Sequence, residues 1–179
     1  LQRDAIVGQG LRDGRDLAYF LGCVDAPVIQ EYLSGPEFTI DVLCDPRGRP
    51  ISIVPRERVV IRSGVIDRGR TVKSKPLMDL AERVCETFLF TGALNIQCRM
   101  RGSQAAVFEI NPRFSGGIDL TIAAGADFPN LLVQMALGRR LMPRLGEFRD
   151  DLWICKYETA VFVQGSAREL PTLAEVQAR

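Results

Sequence analysis

Polar and apolar residues alternate along much of this sequence. The clearest stretch is 37–45, where every second residue from Phe38 to Cys44 is apolar and those between them are mostly polar. Because successive side chains of a β-strand point to opposite faces, this pattern predicts a strand with one buried face. Further strands are predicted at 28–32, 51–54, 59–62, 94–100, 105–111, 153–155 and 159–163.

Apolar residues recur at helical spacing most clearly over 76–90. Ser74 is placed to cap this helix, Pro76 suits its first turn, and Gly92 is predicted to end it. Shorter helices are predicted at 13–21 and 130–137.

The order of these elements indicates the fold class. The strands follow one another in hairpins, and the helices are placed to cover the resulting sheet. The 179 residues contain no low-complexity tract and no long linker. We therefore predict an α+β fold, with an antiparallel sheet and covering helices, in a single domain over 1–179.

The register of one predicted hairpin, around Gly102-Ser103, can be tested by its pattern of side chains. A two-residue turn would place Gln97 opposite Phe108 and mix polar with apolar residues on each face. A three-residue loop places Gln97 opposite Glu109 and keeps both faces uniform, so we predict the longer loop. That register also pairs Arg101 with Ala105, Cys98 with Phe108 and Ile96 with Ile110.

Polar side chains on this hairpin predict a cation site. Glu109, Asn111 and Arg113 project from the same face of their strand, and the predicted register adds Gln97. Carboxylate and amide oxygens suit Mg²⁺ or Mn²⁺, and the guanidinium of Arg113 suits a phosphoryl oxygen or a developing oxyanion. The alternative is an amphipathic strand with a solvated polar face.

Three small residues, Ser115, Gly116 and Gly117, follow directly. Such residues let backbone N–H groups approach an anion, and the segment after them is predicted to start helical. A simple turn is the alternative interpretation.

The composition limits the chemistry and the partners that we expect. The sequence has no histidine, which excludes Ser-His-Asp and Cys-His catalysis and His-containing metal sites. Lys+Arg 23 against Asp+Glu 22 gives a net charge of +1, so neither nucleic acid nor a membrane is an expected partner. The apolar runs are too short to span a bilayer.

A basic stretch at 56–75 is interpreted as a solvated hairpin, one or two of whose arginines reach phosphates or an anionic substrate. Nucleic-acid binding is the alternative, although acidic residues interrupt this stretch and no aromatic residue lies within it.

The five cysteines are odd in number and show no CxxC spacing. We interpret them as buried free thiols in a reducing compartment, which makes the cytoplasm the expected location.

Three separate motifs together resemble the ATP-grasp fold, and among its members the carbamoyl phosphate synthase large subunit. They are VIQEYLSGPE at 28–37 with Asp41 after it, GALNIQ at 92–97, and EINPR at 109–113. The resemblance implies a chain that holds mainly the C-terminal part of that fold. A strand lysine with a Gly-rich loop, expected upstream of the first motif, is not found, and Gly8-Gln9-Gly10 is too short to replace it.

The resemblance also implies roles for individual residues. Glu31, Tyr32 and Leu33 correspond to the hinge whose backbone contacts adenine, and Glu37 to the acidic residue that binds the ribose hydroxyls. Gln97, Glu109 and Asn111 correspond to the Mg²⁺ ligands, and Arg113 to the arginine that steadies the transferred phosphoryl group or acylphosphate. Ser115, Gly116 and Gly117 are the candidate substrate contacts.

The implied activity is that of an ADP-forming ligase. ATP and Mg²⁺ would convert a small carboxylate into an acylphosphate, which an amine or ammonia then attacks. The alternative is a non-catalytic nucleotide-binding or scaffold protein that has kept the fold. The acceptor, the amine donor and a homo-oligomeric state are left open.

Overall fold

The computed structural model describes residues 31–157, together with 18–19, 21–23 and 26. The predicted strand at 159–163 lies outside the described residues, as do most of the helix predicted at 13–21 and the first three residues of the strand predicted at 28–32. Glu31 and Tyr32, the described end of that last segment, are not in a strand. The prediction of one domain over 1–179 stays a prediction.

Six strands form a single antiparallel sheet in the order β5-β4-β1-β2-β3-β6. The strands are β1 (Glu37–Cys44), β2 (Pro50–Arg62), β3 (Val65–Thr71), β4 (Gly92–Arg101), β5 (Gln104–Asn111) and β6 (Trp153–Cys155). Each neighbouring pair is antiparallel, so the predicted α+β class with an antiparallel sheet is confirmed.

One face of the sheet is apolar and packs against helix α1 (Lys75–Thr87). Its core combines alternate residues of β1, such as Ile40 and Val42, with Leu77 and Ala81 of the helix. This confirms the predicted buried face of β1 and the predicted apolar stripe of the helix, except for Phe88, which lies beyond the helix and is exposed.

The C-terminal end of α1 differs from the prediction. Phe88 already has an extended backbone, and its N–H closes the last turn on the carbonyl of Val84 at 2.9 Å. Phe90 packs against the core instead of extending the helix, and Gly92, with φ +83°, begins β4. The helix is therefore shorter than predicted, because packing of the following loop competes with helix propensity.

Strand β2 is one continuous element where two strands were predicted. Pro55 lies at its middle, opposite Ile40 of β1. On its other side the carbonyl of Pro55 accepts a hydrogen bond from Val72, just beyond the end of β3. The missing proline N–H thus falls where the ladder with β3 has ended, so the strand can pass through this residue.

The β4–β5 hairpin keeps the predicted pairing at the end away from its turn, but a different local structure produces it. Gln97 lies opposite Glu109 and Ile96 opposite Ile110, as predicted. The turn has only two residues, however, and Arg101 pairs with Gln104 instead of Ala105. A β-bulge at Phe108 shifts the register between Gln97 and Cys98, so that Cys98 pairs with Val107. The extra residue in β5 shifts the register by one, so that polar side chains again lie opposite polar ones and apolar opposite apolar.

A second, smaller core lies on the opposite face of the sheet. Helices α2 (Ile118–Ala123) and α3 (Phe128–Ala136) cover it, with Phe128 fully buried. Helix α3 starts two residues earlier than predicted because the Asp127 side chain caps it, accepting from the N–H of Asn130 at 3.1 Å. The buried residues of this second core are Leu43, Val54, Ala124, Ala126, Phe128 and Phe148.

The five cysteines are free thiols. Cys44, Cys85 and Cys98 are buried as predicted, but Cys23 and Cys155 are exposed, so the prediction of burial is wrong for these two. Burial raises the pKa of the Cys98 thiol to about 12. Among the described residues, no helix combines the length and the apolar character needed to cross a membrane.

Candidate functional site

The second face of the sheet carries a continuous set of polar side chains across four strands. Its centre is buried: Thr39, Asp41, Arg56 and Asn95 are each at most 4% exposed. The solvated polar face considered as the alternative concerned the segment 109–113, where Glu109 and Arg113 are exposed and Asn111 is half-buried. From β5 across to β2 the polar face comprises Glu109 and Asn111, Asn95, Gln97 and Arg99, Glu37, Thr39 and Asp41, and Arg56 and Arg58.

The three predicted metal ligands lie together at the β5 edge of this face. Gln97 is directly opposite Glu109, and the Asn111 side-chain amide donates to Glu109 Oε1 at 2.8 Å. They provide one carboxylate and two amides. No cluster of three or more His, Cys, Asp or Glu side chains suited to a metal occurs within the described residues. This donor set fits a Mg²⁺ or Mn²⁺ ion that takes its other ligands from water and phosphates.

Arg58 connects the metal-ligand cluster to Glu37. Its Nη1 donates to Glu37 Oε1 at 2.5 Å and to Gln97 Oε1 at 3.0 Å, and its Nη2 donates to the carbonyl of Gly64 at 2.7 Å. Burial lowers the pKa of Arg58, and the neighbouring Glu37 carboxylate opposes that shift. A carbonyl oxygen has two lone pairs, so Gln97 Oε1 can accept from Arg58 and still ligate a cation.

The predicted hinge residues line a cleft of about 470 Å³ beside the β4–β5 turn. Glu31 and Tyr32 are exposed, and Glu31 forms an ion pair with Arg101 across the cleft. The carbonyl of Leu33 accepts from Arg99 Nη1 at 2.9 Å. Arg99 thus fixes the hinge backbone to the polar face. A second cavity, of about 330 Å³, shares no lining residue with the predicted site.

The small-residue loop lies against a buried polar network. Arg56 donates from Nε to Asp41 Oδ2 at 2.8 Å and from Nη2 to Ser115 Oγ at 2.7 Å. Thr121 of α2 donates to the same Asp41 oxygen at 2.5 Å. A Cβ atom at Gly117 would lie 2.5 Å from Arg56 Nη1. The close approach of this loop to the network therefore requires glycine at position 117.

The remaining predicted residue, Arg113, follows the end of β5 and is exposed. Its Nη1 donates to the carbonyl of Phe114 at 2.8 Å, and its own carbonyl accepts from Asn95 Nδ2 at 3.0 Å. Lys156 places a further cation nearby, at 3.2 Å from the Gly116 carbonyl and 3.0 Å from Asp119.

Three residues of this region, Arg56, Arg58 and Lys156, could not be recognised from the sequence as part of the candidate site. Arg56 and Arg58 fall in the stretch interpreted as a solvated hairpin, which is wrong for both because their side chains are 1% and 7% exposed. The available signal was their spacing: they alternate on β2 as Glu37, Thr39 and Asp41 do on β1. Lys156 approaches the loop from the segment that follows β6, far along the chain, and gave no local signal.

Comparison with known proteins agrees with this geometry. A family model described as "ATP-grasp in the biosynthetic pathway with Ter operon" matches residues 24–160. The chain belongs to this ATP-grasp family. The match includes the predicted hinge, the polar face and the small-residue loop, so the resemblance proposed from three motifs is confirmed at the level of the superfamily. The likeness to the carbamoyl phosphate synthase large subunit stays a prediction.

Solved structures show the same fold. The biotin carboxylase domain of a thermophilic 2-oxoglutarate carboxylase bound to bicarbonate has a TM-score of 0.56 and 17% sequence identity. The biotin carboxylase complex with β,γ-ATP from Campylobacter jejuni has a TM-score of 0.54 and 15% identity. In each case the match covers 69% of this ATP-grasp chain and 30% of the other chain. The shared part is thus about a third of the longer proteins.

Proposed function

We propose that this ATP-grasp chain provides the metal-and-phosphate part of an ADP-forming ligase. ATP would bind with its adenine at the hinge, and Gln97, Glu109 and Asn111 would hold Mg²⁺ or Mn²⁺ beside the phosphates. A small carboxylate would then become an acylphosphate, open to attack by an amine or ammonia. The observation that carries this proposal is the bulge at Phe108, which places Gln97 opposite Glu109 on the polar face.

Phosphoryl transfer requires mainly positioning and charge compensation, which suits a face that carries carboxylate, amide and guanidinium groups. A bound Mg²⁺ would neutralise charge on the phosphates. The chain's own residues would do the rest: the backbone at Glu31–Leu33 would hold adenine, and the exposed guanidinium of Arg113 would steady the transferred phosphoryl group. The N–H groups of Gly116 and Gly117 would orient the anionic acceptor.

A non-catalytic nucleotide-binding protein is the second candidate. It is favoured by the lysines: of the three in the described residues, Lys73, Lys75 and Lys156, none belongs to the polar face. A nucleotide could then bind to this face without a strand lysine to compensate the charge that develops on its phosphates. Both candidates predict Mg²⁺-dependent ATP binding, and only the ligase predicts carboxylate-dependent formation of ADP.

Transfer of oxygen from carboxylate to phosphate distinguishes the two. The 179-residue chain is incubated with ATP, Mg²⁺, ammonium or an amino acid, and a panel of ¹⁸O-labelled small carboxylic acids including bicarbonate. The ligase predicts ADP formation with one member of the panel and ¹⁸O in the released phosphate, because attack of the amine on the acyl carbon expels phosphate together with the bridging oxygen, which came from the carboxylate.

Arg113→Met serves as the comparison variant. We expect it to bind Mg²⁺-ATP with unchanged affinity and to lose at least about tenfold in the rate of ADP formation. ATP binding by the wild-type chain without ADP formation from any acid would support the non-catalytic alternative instead.

A further inference from the structure

Glu37 is held between two arginines on the polar face. Its Oε1 accepts from Arg58 Nη1 at 2.5 Å, and its Oε2 accepts from Arg99 Nη2 at 2.6 Å and Arg99 Nε at 3.1 Å. The Glu37 side chain is only 10% exposed, and that of Arg58 only 7%. Charge-assisted bonds of this kind in a partly desolvated position are strong and fix the side chains that make them.

Each arginine extends this arrangement to a different end of the proposed nucleotide site. Arg99 also donates to the carbonyl of Leu33, which belongs to the hinge. Arg58 also donates to Gln97 Oε1, which belongs to the metal-ligand cluster. Glu37 is therefore the shared acceptor of two cations, one of which fixes the adenine end and the other the metal end.

We propose, on the basis of the function proposed above, that Glu37 is a positioning residue that couples the adenine hinge to the metal-ligand cluster through Arg99 and Arg58. In this role Glu37 acts through the two arginines, in addition to the contact with the ribose hydroxyls that the resemblance implies. Its negative charge lets two cations lie side by side, and each cation orients one group that touches the nucleotide.

The orientation imposed by each arginine has a definite chemical consequence. The two ends of a carboxamide are similar in size, so a donor such as Arg58 is needed to select the direction of the Gln97 oxygen. Arg99 fixes the direction of the Leu33 carbonyl, and hence of the adjoining peptide groups. A lysine could not replace Arg99, because Nε and Nη2 of its planar guanidinium hold Glu37 while Nη1 reaches the Leu33 carbonyl.

Three substitutions separate the two arms of this arrangement. Arg99→Met removes the link to the hinge, Arg58→Met removes the link to Gln97, and Glu37→Gln weakens both. Arg49→Met is the matched control, because Arg49 forms an exposed ion pair with Asp45 in the β1–β2 turn, outside the polar face. The ligands are adenosine, ATP with and without Mg²⁺, and 2′,3′-dideoxy-ATP with Mg²⁺, measured by calorimetry.

The expected pattern differs for each variant. Arg99→Met lowers the affinities for adenosine and Mg²⁺-ATP by a similar factor, about tenfold, the usual scale for one charge-assisted hydrogen bond. Arg58→Met leaves adenosine binding unchanged and reduces the gain in ATP affinity that Mg²⁺ provides. Glu37→Gln shows both effects. Arg49→Met changes none of these values.

Three results would overturn the inference in distinguishable ways. If Glu37→Gln abolishes the preference for ATP over dideoxy-ATP but keeps the full gain in ATP affinity that Mg²⁺ provides, Glu37 acts at the ribose alone. If the three polar-face variants weaken all ligands by one common factor, the cluster has only a structural role. If the wild-type chain binds neither adenosine nor Mg²⁺-ATP, the proposed function fails and the inference fails with it.

Discussion

Replacing Arg56 with methionine is expected to lower the free energy of unfolding by about 3–5 kcal/mol, the cost of leaving one member of a buried ion pair alone. Arg56 and Asp41 are each 1% exposed and joined at 2.8 Å. Asp41 Oδ1 has no hydrogen-bond partner among the described residues, so this carboxylate depends on Arg56 and Thr121 through its other oxygen. Methionine fills similar space but supplies no donor.

Denaturation by urea at neutral pH measures this effect. Arg49→Met is the control, because it breaks an exposed i,i+4 ion pair with Asp45 at 2.7 Å and is expected to cost about 0.5 kcal/mol or less. A loss for Arg56→Met no larger than that of the control would show that the buried network does not stabilise the fold. It would also remove the basis for a fixed Ser115 loop.

Replacing Gly35 with alanine is expected to lower the affinity for adenosine more than tenfold. A Cβ atom at this position would lie 1.8 Å from the carbonyl oxygen of Met100 and 2.8 Å from its carbonyl carbon, both backbone atoms of β4. Next to it, the N–H of Met100 donates to the carbonyl of Pro36 at 3.1 Å. The segment after the hinge would have to separate from β4, and the bond from Arg99 to Leu33 would be strained with it.

Calorimetric titration with adenosine measures this effect. Gly22→Ala is the matched glycine control, because a Cβ atom there meets nothing within 4 Å among the residues that the structure describes. Equal adenosine affinities for the wild type, Gly35→Ala and Gly22→Ala would show that the hinge does not bind adenine in this position.

The sequence allowed the functional pairing on the β4–β5 hairpin to be predicted but not the local structure that produces it. Alternation of side chains requires Gln97 opposite Glu109, because the wrong register would expose apolar residues. A longer loop and a bulge satisfy this requirement equally well in a sequence. The chain uses the bulge at Phe108, a choice that becomes apparent only in the folded hairpin.

Burial of charge was the main feature that sequence patterns did not predict. Arg56 and Arg58 lie in the most basic stretch of the chain, and charged residues are usually exposed. Their partners, Asp41 and Glu37, come from the neighbouring strand, while Ser115 comes from 59 positions later. A contact over that distance along the chain depends on tertiary structure, which alternation within one strand does not report.

The central claim is that Gln97, Glu109 and Asn111 bind a divalent cation together with ATP. Its most direct test is the affinity of the chain for ATP, measured by calorimetry with and without Mg²⁺, for the wild type and Glu109→Gln. The claim predicts that Mg²⁺ raises the ATP affinity of the wild type by at least about tenfold and that Glu109→Gln loses most of this gain, since it removes the one carboxylate ligand. Equal affinities for both proteins, with and without Mg²⁺, would contradict it.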